Sequence, residues 1–154
     1  MPKPTHILVI RLSAMGDVAM TVPVLRVLAQ TYPELKITVL SRPFFKPFFE
    51  EITNLNFLEA DVYGEHKRLG LIKLANEAKD LKIDAVADLH NVIRSKIITK
   101  YLKFKGIETA TIDKGRAEKK ALIAAKGENI SQLKTTPQRY ADVFEKLGFP
   151  VDLN

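Results

Sequence analysis

Aliphatic runs of strand length alternate along this chain with longer stretches patterned for helix, and this alternation constrains the fold more than any other feature. Ile7-Leu8-Val9-Ile10 is apolar at every position, as a central strand covered on both faces must be. Further strands are predicted at 36–41, 55–62, 84–89 and 107–112. Helical spacing is predicted at 17–31, 69–81, 92–104 and 116–125, and from Pro137 to a stop at Gly148. In the first of these, Val18, Val22, Leu25, Leu28 and Ala29 recur at three- and four-residue steps. Pro23 lies inside that pattern and predicts a kink or an irregular first turn. A short helix starting at Pro43 carries Phe44, Phe45, Phe48 and Phe49 in two stripes, one for the sheet and the other partly exposed. Residues 63–68 read as a loop, and 126–136 as the least structured interval. The fold class that follows is α/β, a Rossmann-like parallel sheet of about five or more strands with right-handed crossovers. The expected strand order is 3-2-1-4-5, which puts a ligand crevice at the carboxyl ends of strands 1 and 4, where the order reverses.

The length of 154 residues suits one domain that needs no covalent staple. With no cysteine in the chain, disulfides, thiolate metal sites and a cysteine nucleophile are excluded. The formal charge of +6 favours anionic partners: phosphates, nucleic acid or an acidic membrane surface. Aromatic residues are not interleaved with the basic ones as stacking platforms, so nucleic acid is not the expected partner. No apolar run approaches the ~20 residues of a membrane span, and the run at Ile7 is too short for a signal peptide. The expected location is cytoplasmic.

The switch-point rule selects the residues to examine. After strand 1 come Arg11, Ser13, Gly16 and Asp17, in a loop small enough for a ligand to approach the backbone. A helix start follows, with free amides and a positive dipole. The glycine spacing of a dinucleotide site and the lysine of a Walker loop are both absent. Asp17 admits two readings: a helix cap or dipole partner, or a general base beside the crevice. After strand 4 come Asp88, His90, Asn91 and Arg94, either an Asx turn with a surface helix start or a set facing the same crevice. Asp88 and His90 share a strand face, yet with three dispersed histidines no metal site is expected. Arg42 follows strand 2, and Lys114 and Arg116 follow strand 5, with Lys119 and Lys120 on a solvated face beyond. If Arg11, Arg42, Arg94, Lys114 and Arg116 converge, they form a rim for carboxylate or phosphate groups.

The run from Ile7 to Val18 resembles the opening of the lipopolysaccharide heptosyltransferases, glycosyltransferase family 9. Pro23-Val24-Leu25-Arg26, Asp88-Leu89-His90-Asn91 with Arg94-Ser95, and the run from Asp113 to Lys120 extend the resemblance in the same order. It implies the N-terminal half of a GT-B enzyme: residues 1–148 an acceptor-binding domain and 149–154 the start of an interdomain linker. The donor-binding domain is then missing from this chain, which alone should be inactive. It further implies inverting transfer of heptose or a related sugar from an ADP-sugar to the lipopolysaccharide inner core, an anionic glycolipid. In that reaction Asp17 is the base, no metal or other cofactor is needed, and Arg11, Ser13, Gly16, Arg42, His90, Asn91, Arg94, Lys114 and Arg116 serve the acceptor. An exposed Phe stripe suits peripheral contact with the inner membrane. The competing expectation is a stand-alone, non-catalytic domain that binds anionic glycans or lipids.

Overall fold

The computed structural model describes residues 3–114 and 134–154. Five parallel strands lie in the order β3-β2-β1-β4-β5, as the alternation predicts: β1 (His6–Ile10), β2 (Lys36–Ser41), β3 (Leu55–Glu59), β4 (Ala85–Asp88) and β5 (Glu108–Thr111). Ile7 of β1 lies opposite Ile37 on one side and Ala85 on the other. Successive side chains leave opposite faces of a strand, so Ile7 and Val9 enter one apolar layer and Leu8 and Ile10 the other. The first layer is closed by α2 (Thr21–Thr31) and α5 (Thr136–Lys146), through Leu25 and Leu28 and through Tyr140, Val143 and Phe144. The second is closed by α3 (Gly70–Asp80) and α4 (Ile93–Phe104), through Leu71, Leu74, Ile98 and Leu102.

The first helical pattern is divided. A five-residue helix, α1 (Met15–Ala19), gives way at Met20 to α2. The cause is Pro23: in a continuous helix its ring would meet the Ala19 carbonyl, and it has no N–H to offer that oxygen. In the break, the Thr21 hydroxyl donates to the Val18 carbonyl at 2.6 Å.

Strand β3 stops at Glu59, short of the predicted Val62, because Asp61 gathers the next residues into a tight loop. Its carbonyl accepts from the amides of Gly64 and His66. Its carboxylate accepts from the amide of Glu65, and its own amide donates to His66 Nδ1. At Gly70 an added Cβ would collide with the Glu65 carbonyl, so only glycine lets the loop close against the start of α3.

In the 3-10 helix Pro43–Phe49, Phe45 and Phe49 are buried and Phe44 is 72% exposed. Helix α5 ends at Gly148, whose φ of 96° permits paired closing bonds, Gly148 to the Glu145 carbonyl and Phe149 to the Phe144 carbonyl. The segment after Gly148, where a linker is expected, lies against the domain. Phe149 is buried edge-on to Tyr32, and the Tyr32 hydroxyl donates to the Pro150 carbonyl at 2.7 Å. The helix expected at 116–125 lies outside the described residues.

Candidate active site at the carboxyl edge of the sheet

Strand β1 ends at the centre of the sheet, and Arg11 is the next residue. Its backbone stays in the ladder, with the amide bonded to the Leu40 carbonyl and the carbonyl accepting from the Ser41 hydroxyl at 2.6 Å. The buried guanidinium is thereby aimed across the switch point. Nη1 donates to the Leu89 carbonyl at 3.0 Å, and Nη2 pairs with Asp17 Oδ2 at 3.0 Å.

Asp17 lies in the first turn of α1, but that helix begins after Ala14 with no side-chain cap. The carboxylate therefore does not cap the helix. It is held by Arg11 and remains 41% exposed. With five residues, α1 also supplies much less dipole than a long first helix would.

Arg11 and Asp17 share a cavity of about 290 Å³ with Lys114, Lys134, Arg139 and Tyr140. The last three come from the end of the chain, and the sequence reading did not single them out. Tyr140 falls on the apolar face of the final helix, yet its fully buried hydroxyl donates to the Asp17 carbonyl at 3.1 Å. A tyrosine on a core face carries a hydroxyl in need of a partner, and that was the available signal. Burial raises its pKa. Arg139 is buried beside it and donates to the Asp113 carbonyl at 3.0 Å.

His90 is buried, and its Nδ1 accepts from the Leu12 amide at 3.3 Å. In the neutral ring the proton is then on Nε2. Burial first, and then the Arg11 and Lys114 cations, push its pKa down to about 4, so the imidazole is neutral at physiological pH. The Asx turn is present: Asp88 Oδ1 accepts from the amides of His90 and Asn91, each at 2.9 Å. Asn91 holds a φ of 53°, and its side-chain amide donates to the Ile112 carbonyl.

The basic residues sort into two groups. Arg11 and Lys114 line the cavity. Arg42 and Arg94 instead stack on the Tyr63 ring, at 5.0 and 5.1 Å from its centre. Sequence reading left Tyr63 in an unremarkable loop. Ser13 is half-buried and Gly16 exposed, with open space where a Gly16 side chain would lie. Arg116 lies outside the described residues.

Among the described residues, Glu65, His66 and Glu77 bring three potential metal donors within 4.8 Å of one another. His66 Nδ1 accepts the Asp61 amide, so the neutral ring carries its proton on Nε2, facing Glu77 at 3.1 Å. Lys73 Nζ sits 2.6 Å from Glu65. A cation would have to displace that proton and lie beside an ammonium group, so the set is built as a hydrogen bond next to a lysine–glutamate ion pair.

No protein-family model matches the sequence, and no curated protein matches it. Solved structures do. The chain is similar to the glycosyl transferase family 9 protein of Veillonella parvula DSM 2008, with a TM-score of 0.70 and 22% identity over 97% of this chain and 43% of that one. It is similar to the E. coli heptosyltransferase WaaC with ADP, with a TM-score of 0.68 and 20% identity over 97% of this chain and 49% of that one. A third likeness is to E. coli ADP-heptose lps heptosyltransferase II, with a TM-score of 0.53 and 23% identity over 69% of this chain and 30% of that one. The chain thus has a fold found in GT-B glycosyltransferases and spans at most half the length of these structures.

Proposed function

We propose that this chain is the acceptor-binding half of an inverting glycosyltransferase that moves heptose or a related sugar from an ADP-sugar to an anionic glycolipid acceptor. The observation that carries the reading is the Arg11–Asp17 pair, a partly exposed carboxylate held at 3.0 Å over the point where the strand order reverses. Asp17 accepts the proton of an acceptor hydroxyl, and that oxygen bonds to the anomeric carbon from the face opposite the nucleotide. The bond from that carbon to the phosphate oxygen breaks, ADP leaves with the electron pair, and the configuration inverts. Arg11 fixes the orientation of the base. Lys114 and the neutral His90 Nε2–H supply a cation and a hydrogen bond for the sugar acid, with Ser13, Gly16 and Asn91 beside them. The stacked Arg42 and Arg94 serve anionic groups farther along the acceptor. The donor is held by the partner half of the GT-B cleft, and an acceptor carried on lipid A puts the enzyme at the membrane surface.

In a protein carrying both halves, Asp17→Asn is expected to lower kcat by about 10²–10⁴-fold, the usual worth of a general base. KM for the acceptor should change little, and the melting temperature should hold. Turnover near the parent rate would reject the assignment. A non-catalytic glycan-binding domain would use the same cavity, and it is separated from the enzyme by the absence of any turnover in the intact parent protein.

A further inference from the structure

We propose that the groove between the N-terminal ends of α3 and α4 docks this domain on an anionic lipid bilayer. The groove encloses about 790 Å³, with Val62, Leu71, Ile93 and Ile97 forming its apolar part and Lys67, Arg68, Arg94 and Lys96 its charged part. Among the described residues that line it, none is acidic. None of these four cations forms an ion pair with a described residue.

Val62 and Leu71 form the buried floor of the groove, and the apolar groups at and around its rim are raised. Leu69, next to Arg68, is 86% exposed, Ile93 is 78% exposed and Tyr63 is 67% exposed. Lys67, Arg68 and Leu69 are exposed between the inward hydrogen bonds of the Asp61 loop and the close approach at Gly70, with Arg68 at a φ of 53°. Small soluble anions need only the cations. Large exposed aliphatic side chains set among basic ones that have no carboxylate partner, with a tyrosine at the margin, fit the boundary between headgroups and acyl chains. The proposal takes from the preceding section the reading of a lipid-borne acceptor, and it places the contact here rather than on the phenylalanine cluster, where Phe44 alone is strongly exposed and Phe45 and Phe49 face inward.

The test is co-sedimentation of this chain with vesicles of phosphatidylcholine alone and of phosphatidylcholine with phosphatidylglycerol. Binding is expected on the anionic vesicles only and should weaken as salt rises. Each basic residue near such a surface is worth about fivefold in partition. Lys67→Glu with Arg68→Glu should therefore lose at least about tenfold. Leu69→Ser with Ile93→Ser should lose a similar factor. Both pairs are exposed, so their circular dichroism should match the parent. Phe104, 85% exposed at the far end of α4, is the control, and Phe104→Ser should bind as the parent does.

Four results would each overturn the proposal. These are equal binding to both vesicle types, charge variants that weaken while Leu69→Ser with Ile93→Ser does not, displacement by inorganic phosphate at constant ionic strength, and an equal loss in Phe104→Ser. No sugar is transferred in this assay, and Asp17→Asn should bind vesicles normally. Failure of docking therefore stays distinct from failure of the acceptor reading.

Discussion

His90 shows how one buried ring reports on the whole site. Its folded pKa is about 4, whereas the unfolded imidazole titrates near 6.5. Between those values the unfolded chain binds more protons, so stability rises with pH there. The contribution is complete above pH 6.5 and is lost as pH falls toward 4, on the order of 3 kcal/mol over the full span. Urea unfolding from pH 7 to 4 should show that acid limb, and His90→Gln should flatten it. His6, lowered by burial in the same direction, will leave a residual slope. An unchanged limb in His90→Gln would show that the ring is solvated in the folded state. At this scale the sequence led to Asp17, Arg11 and His90 through the rule that strand ends at a topological reversal face the ligand. It did not disclose that Arg11 grips Asp17, since side-chain direction depends on the Leu89 carbonyl, 78 positions away.

At the scale of elements, the positions that resisted reading were those where one residue organises several backbone groups. Aliphatic runs betray strands because burial on two faces is a property of the run itself, and Pro23 betrays a break because its ring and missing N–H act locally. Asp61 is different. Nothing in its immediate spacing announces that it will end β3 and collect the amides of Gly64, Glu65 and His66. Gly70 tests this account. Gly70→Ala would place a methyl against the Glu65 carbonyl, and backbone cannot yield as a flexible side chain can. The expected loss is about 1–3 kcal/mol, with faster amide exchange across 61–70. A neutral substitution with unchanged exchange would mean that the loop does not close as described.

Over the whole molecule, two apolar layers share one sheet, and the layer beneath the candidate site depends on the last helix. Phe144 and Tyr140 are fully buried one turn apart on α5. Phe144→Ala is expected to cost about 3–5 kcal/mol, or about 10 °C or more in Tm for a domain of this size. A shift below about 3 °C would show that α5 is an accessory to the domain. Strand order was readable at this scale because crossover handedness leaves few arrangements. The join between α5 and α1 was not, because the hydroxyl and the carbonyl that meet there are separated by 123 positions.

That join has a consequence for the order in which the molecule becomes competent. On a ribosome, Asp17 emerges 123 residues ahead of Tyr140. The Asp17 carbonyl therefore waits for its donor until α5 has been made, whereas Arg11, the partner of its carboxylate, is made before it. A product interrupted before α5 keeps the aspartate and its arginine but not the hydroxyl beneath them.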